Sequence, residues 1–209
     1  MKKEQIIKHI QDAIIRGQYK QGQRLVERQL CEELGEKRGR VREALQQMGQ
    51  EGFITAVPYK GSFVKKLTQK DISQIYDILG VLEGLSMRVA TPTLADKEIN
   101  LLETLVCDIE NDQNEPGKIY RSNIKLHRHM AALGRNDWLI SFTINLRRQA
   151  HRMSLENFYL PGQIEATISE HRAILNAIKE KSPVQVENLI REHYVNSRDR
   201  LIRSLNMSI

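Results

Sequence analysis

Aromatic residues make up only 5% of this 209-residue chain, and its two cysteines are Cys31 and Cys107. The first shortage argues against a surface that stacks unpaired bases, which needs successive aromatic platforms. The second excludes a disulfide framework or a cysteine-rich zinc site, and both thiols read as reduced and buried. Uninterrupted apolar runs extend for only a few residues, against the roughly 20 needed to cross a bilayer. The chain does not start with a basic stretch, an apolar segment and a small-residue cleavage site. The expected setting is therefore the cytoplasm, with no membrane partner.

Apolar residues account for 40% of the chain and charged residues for 28%, enough to build a packed core. The charge is unevenly placed. Residues 1–68 carry 14 Lys and Arg against 8 Asp and Glu, while residues 69–209 carry 18 of each. The whole net charge of +6 thus lies in the first third, as expected of a small polyanion-binding module joined to a neutral one.

Ile6, Ile7, Ile10, Ile14 and Ile15 recur at helical spacing and Gly17 follows, which predicts a first amphipathic helix. A turn at Gln21-Gly22 leads to a second helix over Glu27–Leu34. Gly35 ends it, and a third helix is expected over Arg38–Gln50. Phe53–Val57 and Ser62–Val64 read as strands flanking Pro58-Tyr59-Lys60-Gly61, a hairpin wing. Beyond the linker Lys65–Gln69, where Thr68 and Asp71 resemble a capping pair, the pattern is helical throughout. Helices are expected near 70–90, 94–112, 116–133, 136–158, 163–180 and 183–205, punctuated by Thr91-Pro92, Pro116-Gly117, Gly134, Pro161-Gly162 and Ser182-Pro183. The expected fold is mainly α: a winged helix-turn-helix over 1–68, then an antiparallel six-helix bundle over 69–209.

Lys37, Arg38, Arg40 and Arg42 crowd the start of the third helix. Cations there oppose the helix macrodipole, and a phosphate backbone or a guanine edge offers the compensation. Gly22–Leu25, Glu27-Arg28, Val41-Arg42-Glu43-Ala44-Leu45, Glu51-Gly52 and Gly61-Ser62-Phe63-Val64 together resemble the GntR-type winged-helix signature. The resemblance covers residues 5–66. It implies DNA contacts from the second helix, the recognition helix and the wing tip, which by position are Arg28, Lys37, Arg38, Arg40, Arg42, Lys60 and Gly61. Where the family usually has Ser-Arg-Thr-Pro, this chain has Lys37-Arg38-Gly39-Arg40.

His127, His171 and His193 fall on three different expected helices, and Asn123 precedes His127 by four residues, on the same helix face. Such groups can bind a transition metal if they converge. Residues 70–205 resemble the all-helical effector domain of FadR-like regulators, through Glu170-His171-Arg172, Ile174-Leu175, Ala177-Ile178 and Glu192-His193. That resemblance implies a divalent metal (zinc, nickel or manganese) held by Asn123, His127, His171 and His193, with Asn123 in place of the family's Asp. Leu79 stands one turn before Glu83, where the family carries an Arg. His129 and His151 do not match the pattern and read as structural.

The sequence has no Ser-His-Asp signature, phosphate-binding Gly loop or dinucleotide fingerprint, and no carboxylate spaced recognisably from the histidines. An enzyme is therefore not expected. The resemblance implies a homodimeric transcriptional regulator, a repressor of near-palindromic double-stranded DNA, controlled by a small molecule. A metal-dependent hydrolase and a sequence-indifferent architectural DNA binder are the alternatives.

Overall fold

The computed structural model describes residues 1–159 and 162–207, with side chains except at 153–157 and 205–207. The expected break at Pro161-Gly162 lies partly outside the described residues: Pro161 is not among them, and Gly162 has φ +72°. The chain divides into two compact units, Met1–Thr68 and Gln69–Ile209. Among the described residues no helix is long and apolar enough to cross a membrane.

The first unit begins with α1 (Lys3–Ile15), followed by β1 (Arg24–Leu25), α2 (Glu27–Leu34), α3 (Arg38–Gln50), β2 (Ile54–Val57) and β3 (Gly61–Val64). The isoleucine stripe of α1 faces inward: Ile6, Ile7, Ile10 and Ile14 are buried with Leu30 of α2 and with Val41, Leu45 and Met48 of α3. Burying a side chain of this size contributes roughly 1.5–3 kcal/mol, so this cluster fixes how the three helices cross. Gly35, at φ +63°, caps α2 and donates its N–H to the Cys31 carbonyl, which allows α3 to start three residues later. β3 is the central strand. It pairs antiparallel with β2 from Ile54↔Val64 to Val57↔Gly61, and with β1 at Arg24↔Phe63 and Leu25↔Ser62. The sequence reading had the hairpin but not β1, because two residues show no alternation.

The second unit contains α4 (Gln69–Ala90), a 3₁₀ turn at Thr91–Thr93, α5 (Asp96–Asn111), α6 (Pro116–Leu133), α7 (Asp137–Asn157), α8 (Gln163–Lys179) and α9 (Pro183–Met207). α4 is the central helix, packed against α6, α7 and α9. Its approach to α9 is close because Gly80 and Gly84 face that helix. A Cβ on Gly80 would stand 3.3 Å from the Tyr194 Cβ, and one on Gly84 3.2 Å from the Glu187 Cγ. Ile72, Leu79, Met87, Leu102, Ile109, Ile119, Met130 and Ile174 fill the interior. Both cysteines are free and half-buried rather than buried, so that expectation is corrected: each lies at the margin of a core.

Candidate functional sites: a basic groove and a buried histidine cluster

The N-terminal turns of α3 project from the first unit because the apolar residues of this helix, Val41, Ala44, Leu45 and Met48, all point inward. The remaining positions carry the cations to the surface. Arg28, Arg38, Arg42 and Gly61, four of the seven expected DNA contacts, line an open groove of about 1560 Å³ between α2, α3 and the wing. Lys37, Arg40 and Lys60 are exposed but do not line it. Arg40 turns toward Glu36 and donates to the Met1 carbonyl at 3.1 Å. Four charged or aromatic groove residues were missed by the sequence reading, Lys65 among them. Arg24 belongs to the overlooked strand β1, and Tyr59 stands fully exposed at the wing tip with φ +61°. Glu27, at the first position of α2, accepts from Arg38 Nε at 2.8 Å and from Arg42 Nη2 and Nε at 3.3 and 3.4 Å. The Arg38 and Arg42 hydrogen bonds hold its carboxyl below the usual carboxylate range.

In the second unit the three histidines converge. His127 of α6, His171 of α8 and His193 of α9 are all buried, and one ligand nitrogen from each lies within 4.8 Å of the others. The Nε2 atoms of His127 and His171 are 3.3 Å apart. Two nitrogens bound tetrahedrally to one metal at about 2.1 Å would stand about 3.4 Å apart. Two of the rings are oriented by carboxylates. His127 Nδ1 meets Glu83 Oε1 of α4 at 2.5 Å, and His193 Nδ1 meets Glu170 Oε2 of α8 at 2.7 Å. With Nδ1 donating, Nε2 of each keeps a free lone pair, the usual arrangement behind a metal-bound imidazole. Burial, with Arg147 and the neighbouring histidines adding to it, holds His127 and His171 well below the ordinary histidine value. Their rings are therefore neutral, as ligands must be. The sequence reading found no carboxylate at a recognisable spacing from these histidines. Glu83 meets His127 across 44 positions and Glu170 meets His193 across 23 rather than its neighbour His171, so neither pairing was readable along the chain.

Asn123 shares a small cavity of about 40 Å³ with His127, His193, Arg147, Gln163 and Thr167. Its Oδ1 is buried without a hydrogen-bond partner, as are Gln163 Oε1 and His151 Nε2 on the same cavity. Orphaned buried acceptors are costly, at roughly 1–3 kcal/mol each, and here they surround one space. His151, expected to be structural, is a lining residue. Leu79 lines the cavity too, and the cation comes instead from α7. Arg147 Nη1 stands 3.4 Å from Glu83 Oε2 and also donates to the Tyr194 hydroxyl. Tyr194 in turn donates to Glu83 Oε2 at 3.0 Å. Burial pushes Glu83 up to about 7, against the pull of Arg147, Tyr194 and His193. The donor set of three converging imidazoles and an unengaged amide oxygen fits a divalent transition metal.

Residues 74–196 match the family described as FCD domain, and residues 2–64 match bacterial regulatory proteins, gntR family. The chain is 25% identical over 200 residues to the HTH-type transcriptional regulator YdhC of Bacillus subtilis, across 94% of this chain and 89% of that one. It is 27% identical over 123 residues to the Nta operon transcriptional regulator of Aminobacter aminovorans, across 58% of this chain and 59% of that relative. Among solved structures, E. coli McbR/YncC is similar with a TM-score of 0.83 at 19% identity, covering 98% of this chain and 99% of that one. The metal-free FCD domain of TM0439 is similar with a TM-score of 0.54 at 15% identity, covering 68% of this chain and 99% of that one. Likeness at these identities shows the fold.

Proposed function

We propose, for a chain that belongs to the gntR family of bacterial regulatory proteins and carries an FCD domain, that it is a cytoplasmic, homodimeric repressor whose grip on a near-palindromic operator answers to a small molecule bound beside a divalent metal. The observation that carries the effector half of this reading is the convergence of His127, His171 and His193 beside a cavity that His127 and His193 line and that unpartnered polar atoms ring.

His127, His171, His193 and Asn123 would hold zinc, nickel or manganese, and the metal, when bound, supplies a Lewis-acidic position for an oxygen of the effector. Glu83 and Glu170 orient two of the imidazoles, and Glu170, held down to about 2 against its burial by hydrogen bonds from His193 and Arg200, places negative charge one ring away, which offsets the neutral amide at position 123. Gln163, Thr167 and His151 offer hydrogen bonds to the effector, and Arg147 supplies a cation tied to Glu83. Roughly three waters fit in this space, so an effector larger than that must spread the helices. Such spreading would couple occupancy to the arrangement of the DNA-binding units.

A face of the second unit supports self-association. Ile78, Val81, Leu85 and Val89 are exposed at helical spacing along α4, with Asp77 at one end and Arg88 at the other. Asp77 pairs with Arg198 and Arg88 with Glu187 within the chain, so the apolar stripe is what two copies laid antiparallel about a twofold axis would bury. α7 runs antiparallel beside α4, since Arg147 meets Glu83 and Arg152 feels the charge of Asp71. Its first turns, with exposed Trp138 and Phe142 stacked at 6.1 Å, therefore lie level with the Leu85–Val89 end. A dimer would hold two winged helices for half-sites about 34 Å apart.

The test is selection of fragmented genomic DNA by the purified chain at moderate salt, with EDTA or with added zinc, nickel or manganese. The expected result is enrichment of a few near-palindromic sequences, each bound by two copies in sedimentation, with Leu85→Glu reducing that to one. Recovery of fragments without shared sequence overturns the regulator reading in favour of an architectural binder. Absence of bound metal by mass spectrometry in every preparation overturns the metal.

A further inference from the structure

The groove between α2, α3 and the wing is lined by Arg24, Arg28, Arg38, Arg42 and Lys65, and among the described residues the one acid on its wall is Glu27. A carboxylate in a cationic groove repels the phosphates that the groove attracts, so its presence calls for a compensating role. Being at the first turn of α2, it gains from the helix dipole, but that gain needs no arginine. Glu27 instead reaches across to α3 and binds two arginines one helical turn apart, so both guanidiniums are fixed from one side.

The two engagements differ. Glu27 accepts from Arg38 Nε at 2.8 Å, a short bond that fixes this guanidinium while its end-on pair of terminal N–H donors stays unengaged. On Arg42 it accepts from Nε and Nη2 only at 3.4 and 3.3 Å, long contacts that hold that guanidinium less firmly. A guanine is read by two parallel N–H donors on O6 and N7, whereas a phosphate is satisfied by one. We propose that Glu27 is the positioning residue that sets operator specificity, reserving Arg38 for bidentate contact with a guanine and leaving Arg42 for the phosphate backbone. The inference rests on the DNA-binding reading. Glu27 touches no DNA itself. It removes the freedom of two long side chains before binding, so that sequence-blind attraction becomes discrimination.

The test uses the full chain and a pool of random-sequence duplexes, from which a preferred duplex is selected and then compared with a scrambled duplex of the same composition. Glu27→Gln is expected to bind the scrambled duplex as well as the parent or better, because one negative charge is gone from the groove. Its preference for the selected duplex should fall roughly 5- to 150-fold, the discrimination of one bidentate pair. Glu27→Asp, which keeps the charge but withdraws it, should also lose preference. In an Arg38→Ala background Glu27→Gln should cost no further preference. The unsubstituted groove gives an independent reading through guanines replaced singly by 7-deazaguanine, which lacks N7. One guanine per half-site should be sensitive, and Arg38→Ala, not Arg42→Ala, should abolish that sensitivity. Preference unchanged in Glu27→Gln, equal weakening on both duplexes, or sensitivity abolished by Arg42→Ala instead each overturns the inference alone. A parent chain that selects no sequence overturns the regulator reading together with it.

Discussion

The two units of this chain treat charge in opposite ways. The first carries the entire excess of +6 and spreads it over exposed arginines, of which Arg38 and Arg42 pair with the half-buried Glu27. The second is neutral in sum, yet it places Glu83, Arg147 and three histidines inside its core. An exposed ion pair contributes about 0–1 kcal/mol and gives way to a ligand at little cost, whereas a buried pair cannot lose one partner without leaving a charge uncompensated. The first unit is thus built to exchange partners, and the second to hold a fixed arrangement around a small space.

The comparison is most sharply tested by removing one cation from each unit. Above about pH 8, where Glu83 is ionised beside its arginine, Arg147→Met strands it in the bundle core and is expected to destabilise the second unit by about 3–5 kcal/mol, read as a lowered urea midpoint. An unchanged midpoint would mean that Glu83 already stands neutral without its arginine, and the contrast between the units would be lost.

Acidification should separate the units next. A histidine in the unfolded chain takes up a proton near pH 6.5, but burial holds His127 and His171 well below that value and His151 down to about 3. Below pH 6.5 the unfolded chain therefore binds the extra protons, and folded stability falls as pH falls. Glu83, pushed from 4.5 to about 7, works in the opposite sense: between those values the folded chain holds the extra proton, so its contribution falls as pH rises. Three histidines outweigh one carboxyl. Between pH 6.5 and 5 the metal-free second unit should lose stability, at about 1.4 kcal/mol per pH unit for each net proton. Urea titrations in EDTA at pH 7.5 and 5.5 check this, and a midpoint that rises on acidification would contradict it.

The smallest effect on folding is expected in the first unit, where it comes with a large effect on binding. Arg28→Ala removes a side chain that is 85% exposed, so stability should change by less than about 0.5 kcal/mol. The slope of log affinity against log salt should become shallower by about one, measured on any duplex. A full-strength slope would remove Arg28 from the phosphate contacts.

Much of the fold was legible along the chain. The isoleucine stripe of α1, Gly35 at the turn and the paired apolar runs around Pro58–Gly61 are local signals, and the elements they imply are within a residue or two of those observed. β1 was not legible because two residues carry no period. α5 begins two residues later than expected because Thr91–Thr93 continues as a 3₁₀ turn. The cavity was less readable. Helical spacing places Asn123 and His127 on one face and says nothing of what faces them. Glu83 and Tyr194 meet across 111 positions, and Arg147 reads in sequence as one more solvated cation of an amphipathic helix. Periodicity records which side of a helix is buried. It does not record which buried polar groups meet there.

Trp138, the one tryptophan in the chain, is 74% exposed on α7, level with the apolar stripe of α4. The protein thus carries its brightest intrinsic fluorophore beside the surface proposed for self-association and not on the lining of the histidine cavity. Emission colour would register a second copy arriving while remaining indifferent to what fills the bundle. Assembly and effector binding could then be followed in the same cuvette as separate optical events.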